Sequence, residues 1–388
     1  MALGNEIVVG TSINNTMGIT GKSYDLLQLL HAAREAEAMG FDAVWVHDAL
    51  GGRRTTAAYC PIGALTAAAA QTSRIKLCTG ILIPQIRNPV HVAQQWATLW
   101  EVSEGRAVMG AGTGAGKSTI FKRQFDALVA VRGPNKDALH PGQFFARRTA
   151  LFAECLDVMN RLWTEDKFAY DGEFFSFGEM TLGIARPAEK PPILVGGGIY
   201  IPIDGVGAHH YTWNEKVAGT LMMGPKIRRV IAEQGEGWLA VHPVPDEYRD
   251  IWADIGRIAD DAGKGPGSGA AYGGPTVKGM NWFANCDDDP RRAWEGVQNQ
   301  LTDFHGPPPG KEKASPDLVD RWALSGPGEE MAEKINRYID LGVTVFQLVI
   351  ASPDQLGMMR KIAEEVLPHV KRDGRAPGGM AKAGRSPA

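Results

Sequence analysis

The sequence predicts an α/β protein, a closed (β/α)₈ barrel, on three observations. Short apolar runs alternate with amphipathic stretches eight times between residues 7 and 370. No linker or shift of composition divides the chain. The apolar runs are continuous rather than alternating, as expected of strands covered on both faces. Strand–helix alternation means a parallel sheet. Eight repeats in one compact unit favour closure over an open doubly wound sheet with an appended domain.

The elements follow in order. Residues 7–14 read as the first strand and 24–39 as its helix, ended by Gly40. Residues 43–48 are the second strand and 61–71 an Ala-rich helix; 75–83 and 90–102 repeat the pair. The fourth strand, 106–114, ends in a glycine cluster, and helix 147–163 follows it. Strands at 193–196, 237–241 and 276–284 are followed by helices at 225–232, 247–262 and 291–304. Helix 329–341 leads into the last strand, 343–350, and helix 355–370 closes the repeat. Insertions fall after strand four (115–143) and strand five (198–224), and 168–192 reads as a small hairpin built on Tyr170-Asp171-Gly172-Glu173-Phe174-Phe175. Segments 263–274 and 306–316 are Gly/Pro-rich loops. Loops this long in a compact domain are usually lids or binding loops. Residues 1–370 are thus one domain, and 371–388, rich in Gly, Pro, Arg and Lys without periodicity, read as a disordered tail.

Composition narrows the function. The chain has 388 residues, 44% hydrophobic and 22% charged, with 41 basic against 44 acidic side chains. A formal charge of −3 offers no basic excess to neutralise a phosphate backbone, so nucleic-acid binding is excluded as a class. No apolar run approaches the roughly 18 residues of a membrane span, and no signal peptide opens the chain. Cys60, Cys78, Cys155 and Cys286 have neither disulfide-framework nor metal-site spacing, which fits a reducing compartment. The expectation is a soluble cytoplasmic protein acting on a small molecule, with no metal.

Two glycine clusters dominate the chemistry. Ala111-Gly112-Thr113-Gly114-Ala115-Gly116-Lys117-Ser118 matches a loose phosphate-binding loop. It follows strand four rather than strand one, and Gly133-Pro134 break the run behind it, which argues against a nucleotide hydrolase. Gly196-Gly197-Gly198 ends strand five. Both clusters open on the carboxyl-end face, where successive amides can cradle an anionic cofactor. The plain alternative is that they only permit tight turns. His47 and Asp48 end strand two, with Trp45 on the same side of the pleat as His47. His47 is either a proton donor or a hydrogen-bonded structural histidine. His209-His210 lack metal-pair spacing, and Trp282 reads as core or as a pocket wall.

Several stretches resemble one family. Gly40-Phe41-Asp42-Ala43-Val44-Trp45-Val46-His47-Asp48 is similar to the second-strand signature of the bacterial luciferase-like superfamily, and Thr79-Gly80-Ile81-Leu82-Ile83-Pro84 to its third. Ser103-Glu104-Gly105-Arg106-Ala107-Val108-Met109-Gly110-Ala111-Gly112-Thr113-Gly114 resembles its fourth. Leu324-Ser325-Gly326, Gly342-Val343 and Leu367-Pro368 resemble its C-terminal end, so the likeness covers about residues 5–372. Arg87-Asn88-Pro89, and the lack of a luciferase-type Glu-His-His after strand two, point to the branch that uses the deazaflavin coenzyme F420. That branch includes methylenetetrahydromethanopterin reductase, sugar-phosphate dehydrogenases and phthiodiolone ketoreductase.

The resemblance implies a TIM barrel, usually a homodimer, with the deazaflavin ring over the carboxyl ends of the strands. It implies a bulge with a non-prolyl cis peptide at Gly80-Ile81 against the middle of the ring. It also implies phosphate contacts at Thr113, Gly114, Gly197 and Gly198, with Asp48 near the cofactor, and leaves open a share for Gly224-Pro225. Ala49 and Ala115 stand where the sugar-phosphate dehydrogenases carry an acid/base His and Glu. Sugar-phosphate oxidation is therefore disfavoured, and His47 becomes the candidate catalytic residue. The expected function is hydride transfer between F420 and an organic small molecule. The alternatives are a reduced-FMN monooxygenase and a non-catalytic flavin-binding protein.

Overall fold

The computed structural model describes residues 3, 5–13, 26–49, 58–114, 147–184, 187, 189–204, 216–265, 274–305 and 313–372. The chain runs β1 (Val8–Ser12), α1 (Leu26–Ala38), β2 (Ala43–Val46), α2 (Pro61–Ala69), β3 (Lys76–Leu82), α3 (Pro89–Val102), β4 (Ala107–Ala111) and α4 (Arg148–Thr164). A hairpin, β5 (Phe168–Asp171) and β6 (Ser176–Met180), precedes β7 (Ile193–Gly197), and a second, β8 (Ile199–Ile201) and β9 (Thr220–Met222), follows it. Then come α5 (Pro225–Gln234), β10 (Gly237–Val241), α6 (Pro245–Asp261), β11 (Val277–Cys286), α7 (Pro290–His305), α8 (Pro316–Trp322) and β12 (Ala323–Gly326). Finally α9 (Gly328–Ile339), β13 (Val345–Ile350) and α10 (Gln355–Glu365) complete the fold.

Eight parallel strands pair in the order β1, β2, β3, β4, β7, β10, β11, β13, and β13 returns to β1. The sheet closes, so the (β/α)₈ barrel is the observed fold. β1, β2, β4 and β13 are buried along their whole length, consistent with their unbroken apolar sequences. Inside the barrel, Leu239 of β10 reaches past β7 toward β4; a Cβ on Gly110 of β4 would touch it at 3.4 Å. Outside, Trp282 stacks on Phe346 and meets the ring of Tyr338 edge-on, so this tryptophan is core.

Local signals place the helix ends. Asn88 accepts the Val90 amide at 2.9 Å ahead of Pro89, and Glu247 reaches back to the Val244 amide at 3.0 Å. The expected hairpin forms, its turn held by Glu154, which accepts the amides of Phe174 and Phe175.

Three details differ from expectation. The last helix stops at Glu365 and a 3₁₀ turn, Leu367–His369, takes over, because Pro368 cannot continue the ladder. α8 and β12 were not anticipated: β12 has four residues and pairs with the last four residues of β11. The fifth-strand insertion holds the two three-residue strands β8 and β9. Strands that short carry no readable period. The strand-four insertion from residue 115, His209-His210 and the tail from 373 lie outside the described residues. Among the described residues no helix is long and apolar enough to cross a membrane.

Candidate active site

The carboxyl ends of β2 and β3 form its centre. Gly80 and Ile81 are joined by a cis peptide, and the register of β3 against β4 shifts between Thr79 and Leu82. The expected bulge is there. Three neighbours make room for it. A Cβ on Gly112 would collide with Ile81 Cδ1, and one on Gly196 would come within 3.1 Å of Ile81 Cγ2. A Cβ on Gly80 would lie 2.6 Å from Cδ of Gln347, a buried residue of β13. Glycines 112 and 196 are thus explained by the close approach of Ile81.

His47 Nδ1 lies 2.9 Å from the Gly80 carbonyl oxygen. A carbonyl only accepts, so the hydrogen sits on Nδ1 and Nε2 is the basic nitrogen of the neutral ring. Burial pushes the imidazole below its ordinary pKa, and the Gly80 carbonyl only partly offsets this. His47 is therefore neutral and held by the bulge itself.

Asp48 is tied down. Its side chain is 1% exposed; Arg87 donates to both oxygens, Nη2 to Oδ1 at 2.7 Å, and the Ile83 amide adds a third bond at 2.9 Å. The carboxylate clamps the end of strand two to the turn after strand three. Any part it takes in holding a cofactor runs through the segment it fixes.

The glycine turns lie beside this centre. Gly114 and Gly198 have φ of 73° and 90°, the left-handed region that glycine enters freely. A Cβ on Gly197 would be 3.2 Å from both Met223 and Ile227. Gly197 therefore packs on the start of α5, whose N-cap is Gly224. Thr113 is half-buried in the same rim. Two strand ends and one helix start lie together here, a setting suited to an anionic group.

Sequence reasoning missed four polar residues of the lumen and rim. Ser12, Asn281 and Gln347 are buried on β1, β11 and β13; Gln347 Nε2 lies 3.4 Å from Ser12 Oγ, and Asn281 accepts the Trp322 indole at 2.9 Å. Polar residues inside apolar strands were a legible signal. His242, just after β10, is 1% exposed with φ of 72°. Nothing in the sequence marks that conformation. Burial, helped by the charge of Arg321, lowers its pKa to about 3.

A family model, the luciferase-like monooxygenases, matches residues 6–199. The chain belongs to the luciferase-like monooxygenase family. Among curated relatives of this luciferase-like chain, an F420-dependent glucose-6-phosphate dehydrogenase of Intrasporangium calvum is 27% identical over 88% of the chain and 93% of its own length. Among solved structures, an F420-dependent secondary alcohol dehydrogenase with an F420-acetone adduct aligns at a TM-score of 0.68, with 21% identity over 94% of this chain and 99% of that one. The coenzyme F420 dependent tetrahydromethanopterin reductase of Methanopyrus kandleri aligns at 0.62, with 20% identity over 94% and 100%. At those identities the structural likeness speaks for the fold.

Proposed function

We propose that this chain is an F420-dependent oxidoreductase that moves a hydride between the deazaflavin and an organic small molecule. The observation that carries it is the Gly80–Ile81 bulge, seated on Gly112, Gly196 and Gln347 and bonded through its carbonyl to His47. The full-length relatives named for F420 dependence support the cofactor. The residues present fit such a group: an uncharged floor for a flat ring, and glycine turns free of Cβ atoms for its anionic end.

When bound, the deazaflavin supplies a carbon that gives or takes a hydride. The protein does the rest. Gly80 and Ile81 back the ring; Thr113, Gly114, Gly197 and Gly198 hold the phosphate; Asp48 and Arg87 fix the strand ends between them. His47 Nε2 takes the proton of a substrate hydroxyl or returns it to a carbonyl. One barrel domain over residues 1–370, acting as a cytoplasmic homodimer, completes the proposal.

A reduced-FMN monooxygenase of the same family is the second reading. The Arg87-Asn88-Pro89 stretch, which resembles the F420 branch, weighs against it; here Arg87 clamps Asp48 and Asn88 caps α3. Titrating the apoprotein with F420 and with FMN decides: F420 should bind at least tenfold more tightly. The reverse order would reject the proposal.

A further inference from the structure

We propose that Asn281 is a second catalytic residue: its Nδ2 donates the hydrogen bond that holds the substrate's reacting oxygen, while His47 moves the proton. This rests on the oxidoreductase reading and adds a residue to the same site. The first observation is what His47 leaves undone. Its hydrogen sits on Nδ1 and is bonded to the Gly80 carbonyl, so Nε2 of the neutral ring can accept a hydroxyl proton. A ketone that meets this neutral ring finds no hydrogen on Nε2. An oxygen that gathers negative charge as its proton leaves is best held by a donor that does not itself move.

The second observation is a carboxamide with one end committed. Asn281 interrupts an apolar strand and is only 7% exposed. In the barrel register it stands between Val241, the last residue of β10, and Gln347 of β13. Gln347 abuts Gly80, whose carbonyl holds His47, so these contacts link His47 to Asn281 across the lumen. Asn281 Oδ1 accepts the Trp322 indole at 2.9 Å. An indole only donates, so this bond fixes which end of the carboxamide is oxygen. Among the described residues no acceptor meets Nδ2. Buried amide hydrogens seldom go without a partner, and a substrate oxygen would supply one.

The third observation is that the lock on Asn281 is itself braced. The Trp322 ring meets His242 edge-on at 4.2 Å and Phe283 at 4.9 Å. Its neighbour Arg321 bonds Glu247 through both guanidinium nitrogens and reaches the His242 carbonyl at 3.3 Å. The Tyr200 amide donates to His242 Nδ1 at 3.4 Å. β8, β11, α8 and the turn after β10 thus converge on one indole, and the indole on one carboxamide. A donor fixed in this way needs no reorganisation when charge develops on the oxygen it holds. Trp322 is the positioning residue, and Asn281 touches the substrate.

The test is infrared spectroscopy of carbonyl-labelled cyclohexanone bound to the protein, with oxidised F420 and without it, beside turnover of cyclohexanol. Oxidised F420 holds no hydride, so the ketone stays intact. A hydrogen-bond donor lowers the carbonyl frequency, so Asn281→Ala should move the bound band upward. Trp322→Phe, which keeps a ring but no indole N–H, should move it part of the way. In Asn281→Ala the kcat should fall by roughly 10²–10³, the loss for one fixed donor, with F420 affinity unchanged. Asn281→Asp still accepts the indole but has no Nδ2 hydrogens, so it should not restore the rate. An unmoved band in Asn281→Ala, a rate loss below about tenfold, or the same shift from Ser12→Ala instead would overturn the proposal. So would a wild type with no bound ketone band, with or without F420. A wild type that holds the ketone through Asn281 yet turns over only with reduced FMN would reject the cofactor and leave the donor standing.

Discussion

The carboxamide of Gln347 occupies the space that a side chain on Gly80 would need, across the barrel lumen from one strand end to another. The Gly80 carbonyl, on the same residue, receives the hydrogen bond of His47. One glycine is thus set between a packing partner and the candidate proton-transfer group.

Gly80→Ala should therefore destabilise the protein by about 1–3 kcal/mol, the usual cost of overpacking. Adding Gln347→Ala opens the space, so the double variant should recover part of the loss, with a coupling of at least about 0.5 kcal/mol. Denaturant unfolding of the four proteins measures this. Strict additivity would mean that the two residues do not share the space.

His47→Ala should lower turnover by roughly 10²–10⁴ and leave cofactor affinity nearly intact. The pH profile carries the sign. With the imidazole pKa below its ordinary value, alcohol oxidation should rise with pH through that lowered pKa and level off by neutrality. Ketone reduction should fall over the same range. A loss below tenfold, or an unchanged acid limb in the variant, would give the proton to another group.

Gly114→Asp tests the glycine turn. At φ of 73° any side chain is strained, and a carboxylate would repel a phosphate. F420 affinity should fall at least tenfold, about 1.4 kcal/mol. A folded variant with unchanged affinity would remove strand four from the phosphate site.

His242 predicts a stability profile rather than a rate. Its pKa is about 3 in the folded chain against an ordinary value of 6.5, so the unfolded chain binds the proton more readily. Stability should be full above pH 6.5 and fall by up to about 1.4 kcal/mol per pH unit as pH drops toward 3. His242→Asn, which tolerates the left-handed conformation, should flatten that slope. Unfolding curves across this range give the answer; an equally steep slope in the variant would place the acid sensitivity elsewhere.

How much was legible depends on whether the signal was local. The barrel strands announced themselves because each is an apolar run flanked by an amphipathic helix. His47, Asp48 and the glycine turns were legible as residues at strand ends. Their partners were not. Nothing in the sequence shows that Arg87 would consume Asp48, or that Gln347, about 270 residues from Gly80, would meet it across the lumen. β8, β9 and β12 escaped because strands this short exist only through their partners. The glycine clusters carried two meanings at once: Gly112 and Gly196 admit Ile81, while Gly114 and Gly198 turn the chain.

Hydride transfer to or from F420, rather than oxygen chemistry on FMN, is the claim on which the rest stands. The most direct measurement follows deazaflavin absorbance and dissolved oxygen together while the F420-loaded enzyme turns over a secondary alcohol. Alcohol-dependent bleaching of F420 with no oxygen uptake, abolished in the His47→Ala variant, is the expected result. Turnover only with reduced FMN, at the expense of oxygen, would contradict it.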